Sequence, residues 1–283
     1  MALPDITQII DPETVRREAA TRVEAQTVVR EFFMDVPGGI PDSAGEEYTI
    51  PVPAEELGEP EEVEPGTDVI YDREEYGRPT ISRQIFQNGS KIPEEDVNDN
   101  IFDLVADHLD GHTKNMAKKL DRAAFAVLDA NTPSGNAVSA SGGADGELSF
   151  DDINAGITEL ANRGEDGFAA DMALVDPAGR ESITNWLADR GTDLGDETVR
   201  NGEIGSFGGI RYMTTTNVTL DATGGSNPEA ILVDSDHFGW EGEWQAVNSE
   251  QMTDFDSSAI KMKIKGAYGW QTKRDIAAVR VEG

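Results

Sequence analysis

From Glu94 to Ala130 the chain runs without a proline and with a single glycine, Gly111. Within that run Val97, Ile101, Leu104, Val105, His108, Leu109, His112, Met116, Leu120, Ala123, Val127 and Leu128 recur mostly at steps of three and four. That spacing predicts one amphipathic helix, stopped by Asn131 and Pro133. At 1.5 Å per residue it would be ~55 Å long. A compact globule of 283 residues is roughly 50 Å across. One helix as long as the molecule suits a flat or elongated building block better than a compact enzyme.

The segments on either side differ from each other. Asp11-Pro12-Glu13 reads as a helix start, with a capping Asp and Pro at the first helical position. The helix would carry Val15, Ala19, Val23, Val28 and Phe32 and end before Pro37-Gly38-Gly39. From Asp35 to Glu75 there are 14 acids, one base (Arg73) and six prolines. Strand-like runs there are short, Tyr48 to Val52 and Val69 to Tyr71, and just beyond comes Thr80 to Phe86. Proline confines such strands to sheet edges, and so little apolar content makes a poor core. A long hairpin projecting from the body fits better than a structureless loop.

Beyond the long helix, Ser149-Phe150-Asp151-Asp152 resembles a capping box with Asp in place of Glu, opening a helix with Ile153, Ile157 and Leu160. Met172 to Val175 reads as a buried strand, and Asp176-Pro177 as the start of another helix bearing Ile183 and Leu187. Strand-like runs follow at Ile210 to Thr214 and Ala230 to Val233. Near the end Ile260, Met262 and Ile264 alternate with Lys261, Lys263 and Lys265, and Ala277, Val279 and Val281 alternate again. Helices and strands mix without a βαβ rhythm, so the expected class is α+β.

Composition narrows the function. The chain carries 55 Asp and Glu against 23 Lys and Arg, a net charge of −32. So acidic a field does not favour nucleic acid, where affinity comes from neutralising phosphates. Zero cysteine excludes disulfides and thiolate chemistry. No apolar run is long enough for a membrane span, and no basic-then-apolar stretch opens the chain as a signal peptide would. With 37% hydrophobic residues in periodic segments, disorder is a poor reading. A carboxylate-covered surface matches proteins of salt-in halophiles, where molar salt screens self-repulsion.

No motif for catalysis stands out. His108 and His112 are four apart on one helix face, as a metal pair would be. However, Leu109 stands where a metalloprotease needs its general-base Glu, and both lie on the apolar stripe, so packing is expected. His237 is distant in sequence. Gly202 to Gly209 contains Glu203, lacks Lys and precedes a strand, so a strand-entry turn is expected, not a phosphate loop. Asn88-Gly-Ser and Asn217-Val-Thr match the N-glycosylation pattern. Lys261, Lys263, Lys265, Lys273, Arg274 and Arg280 fall in the last 26 residues, opposed by Asp275 and Glu282. They would either balance acidic neighbours or face nucleic acid or an acidic partner subunit. The nearby Phe238, Trp240, Trp244, Phe255, Tyr268 and Trp270 are expected in core and interface.

The order of these elements resembles the Hong Kong 97-type major capsid protein of tailed viruses. Val63-Glu64-Pro65-Gly66-Thr67-Asp68 resembles the turn-rich segment of that family's extended loop. Leu120-Asp121-Arg122-Ala123-Ala124-Phe125 is similar to the end of its spine helix, and Leu174 to Arg180 to the strand-to-helix step of its axial domain. Gly202-x-x-Gly205-x-x-Gly208-Gly209-Ile210 is similar to the entry of that domain's later strand. With the acidic composition, the chain resembles a capsid subunit of a haloarchaeal tailed virus.

The resemblance implies an N-terminal arm (1–45), an extended loop (46–86), a peripheral domain with the spine helix (87–145), an axial domain (146–255) and terminal strands returning to the peripheral domain (256–283). It implies a structural protein, with no catalytic residue, metal or cofactor. Such a protein would assemble with itself into hexamers and pentamers, closing an icosahedral shell around double-stranded DNA held by proximity. The extended loop would lie over a neighbouring subunit and the arm, near Asp11 to Phe33, would clasp another. Assembly would take place in the host cytoplasm, with separate scaffolding, portal and decoration proteins as partners, and the product would be the virion. Residues 46–86 contain no lysine, so the loop lacks the Lys that some relatives crosslink. Two other readings are an encapsulin-like shell around an enzyme and a tail-tube subunit. A third, of another class, is a halophilic hydrolase with a metal on His108 and His112.

Overall fold

The structure, a computed structural model, describes residues 19–41, 44–53, 76–93, 95–96, 104–132, 136–140, 146–163, 167–189, 206–207, 209–218, 220, 229–254 and 258–283. The expected elements at Asp11 to Glu13 and Val69 to Tyr71, the residues Val97, Ile101 and Phe255, and the segments 63–68 and 202–205 lie outside them.

Helical turns at 19–24 lead to a 3-10 turn, Val29–Phe32. Strands β1 (Met34–Asp35), β2 (Glu47–Thr49), β3 (Val52–Pro53), β4 (Tyr76–Gly77), β5 (Thr80–Ser82) and β6 (Gln84–Pro93) follow. Then come helix α1 (Leu104–Asn131), α2 (Phe150–Ala161), β7 (Met172–Val175), α3 (Pro177–Asp189), β8 (Ser206–Phe207), β9 (Ile210–Thr214) and β10 (Glu229–Val233). A one-turn helix, α4 (Ser235–Phe238), introduces β11 (Gly239–Asp254), β12 (Ala259–Thr272) and β13 (Ala278–Glu282).

Two sheets hold the body. Among the described residues one has the order β1-β11-β12-β6, antiparallel except for the parallel β1–β11 pair. The other has the order β13-β10-β7-β9-β8, with β7 and β9 parallel. This is the expected α+β class.

The long helix forms as its spacing demands. Val105, Leu109, His112, Met116, Leu120, Ala124 and Leu128 are buried, packed against β6 and β12. α1 is ~42 Å long at 1.5 Å per residue, shorter than the run from Glu94; residues 97–103 lie outside the described set. At its end the Asn131 side chain donates to Val127 O (2.7 Å) and Thr132 Oγ to Leu128 O (2.8 Å), so side chains satisfy carbonyls the helix leaves open.

The Ser149 capping box is present in full: the Ser149 side chain accepts from Asp152 N and the Asp152 side chain accepts from Ser149 N. β7 is buried at all four positions, as an interior strand should be. Gly209, at φ +85, makes the turn from β8 into β9, the strand-entry turn expected there.

Two expectations change. The N-terminal helix does not run on to Pro37; it stops near residue 24, because the Val28 and Val29 amides bond to the Asp121 side chain instead of to a preceding turn. The last 26 residues do not stay together. β12 lies against α1, whereas β13 pairs with β10 in the other sheet and packs on α2. Ala278, Val279, Arg280 and Val281 are all buried there, so both faces of this strand have a partner layer. No helix among the described residues is long and apolar enough to cross a membrane.

Candidate assembly surfaces

The N-terminal segment is clamped to its own chain from Ala19 onward. Ala19, Val23, Val29 and Phe32 are fully buried in the main core. Asp121, fully buried on α1, accepts from Val28 N (3.0 Å), Val29 N (3.0 Å) and Asn217 Nδ2 (2.7 Å). The two amides open the 3-10 turn and have no partner within it. Burial pushes the Asp121 carboxyl up; the hydrogen bonds from Asn217, Val28 and Val29 pull it back. In the sequence Asp121 stands only within the Leu120 to Phe125 pattern, with no local signal of this clamp. The expectation that the arm clasps another subunit therefore falls on residues before Ala19, outside the described set.

A second clamp follows. Arg30 Nε lies 3.0 and 2.9 Å from the two carboxylate oxygens of Glu241, and its Nη2 donates to the same group. Trp270 Nε1 donates to Glu241 Oε2 (2.7 Å), and the guanidinium sits 4.4 Å from the Tyr268 ring centroid. Burial opposes the charge on Arg30, but the hydrogen bond and charge of Glu241 outweigh it and raise its pKa. The pair holds β1 beside β11, where Met34 and Asp35 register with Trp240 and Glu241.

That junction supports a hairpin. β2 pairs with β5 and β3 with β4, all antiparallel. Its base has a small core of its own, Val36, Val52, Ile81 and Trp240, flanked by Ile40, Tyr48, Ile50 and Trp244. Trp244 Nε1 donates to Gly45 O (3.1 Å). Residues 54–75, the most acidic stretch, are outside the described residues. At the end of the described hairpin Tyr76 is exposed.

The β11-β12-β6 sheet has two unlike faces. Ile260, Met262, Ile264, Phe86 and Ile92 face α1 and are buried. The opposite face carries Lys261, Lys263 and Lys265 on β12 and Lys91 on β6, with Glu250, Met252 and Asp254 on β11. Lys261 Nζ lies 2.6 Å and Lys91 Nζ 3.9 Å from Asp254 Oδ2, and Lys265 pairs with Glu250. Lys273 stands 5.6 Å over the Trp240 ring. The C-terminal basic cluster thus divides. Arg280 is buried: its Nη1 meets Glu229 Oε2 (2.5 Å), its Nη2 meets Asp129 Oδ1 (2.5 Å) and its Nε donates to Thr132 O (2.8 Å). The aromatics are mainly core: Phe238, Trp240, Tyr268 and Trp270 are buried.

The histidines gather no site. His108 and His112 have ring centroids 6.3 Å apart. His112 is buried and its Nε2 has no hydrogen-bond partner. Burial, and then the neighbouring His108, lower its pKa. His237 Nδ1 pairs with Asp234 (2.8 Å), elsewhere in the fold. Among the described residues no group of three or more His, Asp or Glu could hold a metal ion. Of the glycosylation-pattern residues, Asn217 commits its amide nitrogen to Asp121 and to Gln26 O (3.3 Å). Asn88 is on β6, and its Oδ1 accepts from Gly89 N (2.9 Å).

Comparison with known proteins agrees with this architecture. The phage capsid protein family matches residues 81–281, most of the chain. Several solved structures share the fold. A chain from Mycobacterium phage Che8 superposes with TM-score 0.67 at 16% identity, over 90% of this chain and 91% of that one. The capsid structure of the cyanophage P-SCSP1u gives 0.68 at 14% identity, over 90% and 88%. The asymmetric unit of the bacteriophage PhiM1 mature capsid gives 0.64 at 13%, over 91% and 87%. No curated protein matches the chain.

Proposed function

The chain belongs to the phage capsid protein family, and from that premise we propose that it is the major subunit of an icosahedral shell of the Hong Kong 97 type, from a haloarchaeal tailed virus. It is a structural protein and not an enzyme. The halophilic hydrolase reading is set aside on that ground. What carries the proposal is the match across residues 81–281, in a chain whose hairpin base packs on β11 through Val36, Val52, Ile81 and Trp240.

In this reading the subunit forms hexamers and pentamers around double-stranded DNA. The hairpin, within 46–86, is the extended loop and reaches a neighbouring subunit. α1 is the spine helix; the sheet β1-β11-β12-β6 goes with it in the peripheral domain, and the sheet β13-β10-β7-β9-β8 with α2 and α3 makes the axial domain. The first residues of the arm (1–45) engage another subunit, and scaffolding and portal come from separate proteins. The shell is assembled in the host cytoplasm. The net charge of −32 supports a salt-rich host, where such a surface is screened.

Electron microscopy of the expressed protein in molar salt tests this. Closed shells with six- and fivefold clusters are expected. Stacked rings or tubes would point to a tail-tube subunit. Shells purified from the host with an enzyme and no nucleic acid would point to a compartment.

A further inference from the structure

The outer surface of α1 stands against the charge of the whole molecule. From Gly111 to Leu128 the helix carries Lys114, Lys118, Lys119 and Arg122, and its one acid there, Asp121, is fully buried. All four bases are exposed. Steps of four put Lys114, Lys118 and Arg122 on one line along the helix, with Lys119 beside it. Three of the eight lysines in a chain of charge −32 thus sit within about two and a half turns.

Packing within the subunit does not account for them. Lys114 meets Asp110, which Arg22 also meets at 3.4 Å, and Arg122 Nε donates to Asn217 O (3.1 Å). Among the described residues no carboxylate lies within 4.0 Å of Lys118 or Lys119. Like charges four apart weaken a helix. The macrodipole favours bases in the last turn, and α1 has none there.

α1 packs on β6 and β12 through its apolar side and on the N-terminal 3-10 turn through Asp121. The basic stripe and the lysine face of the β11-β12-β6 sheet are therefore the two outer surfaces of one layer. They differ in what accompanies the charge. On the sheet, Lys91, Lys261 and Lys265 pair with Asp254 and Glu250, and Met252 and Ile85 are 60% and 64% exposed. Around the stripe the exposed neighbours are Gly111, Asn115 and Ala126, and no exposed large hydrophobic among the described residues belongs to α1. A protein contact draws its strength from buried aromatic and apolar anchors, which the stripe lacks. A phosphate backbone needs only Lys and Arg within reach. Over the ~12 Å from Lys114 to Arg122 a DNA duplex presents about seven phosphates, one per ~1.7 Å of its axis.

We propose that the stripe of Lys114, Lys118, Lys119 and Arg122 on α1 binds the phosphate backbone of double-stranded DNA without reading its sequence. The inference rests on the shell reading and names the surface that meets the packaged genome. In molar salt the screening length is ~3 Å, so a phosphate meets the side chains it touches and not the −32 of the subunit. Each contact is then weak, and repetition over many subunits makes up for it.

Crosslinking in filled particles purified in molar salt tests this. Formaldehyde joins lysine amines to DNA bases only at contact distance, and peptide mapping reads which lysines are joined. Lys114, Lys118 and Lys119 should carry most of the DNA adducts, and Lys91, Lys261, Lys263 and Lys265 few or none. A full-length Lys118→Glu, Lys119→Glu variant, carried by the virus in its host, should form shells in wild-type number while filled particles fall severalfold. Lys118→Gln, Lys119→Gln should lie between it and wild type. Circular dichroism confirms that each variant is folded, and the crosslinking result stands without any variant.

DNA adducts confined to the sheet lysines, or absent from α1, would overturn the proposal. Adducts joining the stripe to a second protein would assign it to a protein partner and also overturn it. So would a folded Lys118→Glu, Lys119→Glu subunit that forms no shells, since the stripe would then be a contact between subunits. Filled particles at wild-type yield from that variant would reject the DNA contact and leave the shell reading standing. Wild-type protein that forms no shells, or shells that hold no DNA, would reject the shell reading itself.

Discussion

Arg30 and Glu241, 211 positions apart, form a two-pronged ion pair in which Glu241 also takes the Trp270 indole proton and Arg30 lies against the Tyr268 ring. The pair ties the segment before the hairpin to the strand at the hairpin's base. Both side chains are largely shielded, at 14% and 5% exposure, so neither charge has water as an alternative partner.

Arg30→Met should therefore destabilise the subunit by about 3–5 kcal/mol, since it leaves a buried carboxylate unpaired. Arg30→Lys keeps the charge but loses the fork and the stacking surface, and should fall between. Arg30→Met combined with Glu241→Gln should recover part of the loss. Chemical denaturation of the disassembled subunit measures all three. Equal stability of wild type and Arg30→Met would show that the pair contributes nothing net.

Two helical glycines should respond oppositely to one substitution. Around Gly111 on α1 an added Cβ meets nothing within 4 Å, so Gly111→Ala should gain about 1 kcal/mol from helix propensity. At Gly156 on α2 the Cβ would come 2.5 Å from Val281 Cγ2 and 2.8 Å from Leu232 Cδ1. Gly156→Ala should lose about 1–3 kcal/mol by overpacking α2 against β10 and β13. Thermal unfolding of the two variants distinguishes them by sign.

What was legible in the sequence was what has a local signature. The α1 stripe, the Ser149 capping box and the Ile260 to Lys265 alternation each repeat with the period of their element, and the order of elements led to the family. Arg280 does balance acidic neighbours, one of the two readings open for the basic cluster, but its burial is not legible, because alternation says only that a strand has two faces. It does not say that β13 is covered on both, and a buried arginine there depends on Glu229 and Asp129, far away in the chain. The break after residue 24 was hidden for the same reason: Asp121, which draws off the Val28 and Val29 amides, is more than 90 residues away. The lysine face needed the register of β6 to place Lys91 beside Lys261.

His112 should make the subunit acid-sensitive. Burial and His108 hold its pKa below the ordinary value of 6.5, so the folded state favours the neutral ring. Its contribution is intact above pH ~6.5 and is lost as pH falls below it, because the unfolded chain takes up the proton first. Asp121, Glu243 and Glu282 have raised pKa values and act in the opposite sense, favouring the fold as they protonate. The comparison must therefore be made against a variant: His112→Leu should lose less melting temperature than wild type between pH 7.5 and 5.5. Identical slopes would exclude His112 as the sensor.

Salt should decide whether subunits stay together. Each carries −32, and two exposed like charges at 4 Å repel by ~1 kcal/mol even in water. Four lysines on one face attract locally, but at ~0.01 M salt the screening length is ~30 Å, and at that range each subunit presents its net charge rather than one face. In molar salt the length falls to ~3 Å, leaving contact pairs and apolar burial to act. Assemblies should thus be stable in molar salt and dissociate on dilution, with magnesium protecting at lower concentration than sodium by bridging facing carboxylates. Light scattering across a salt series, with and without magnesium, reads this out. Particles that survive long dialysis into low-salt buffer with chelator would mean that apolar burial between subunits exceeds the repulsion.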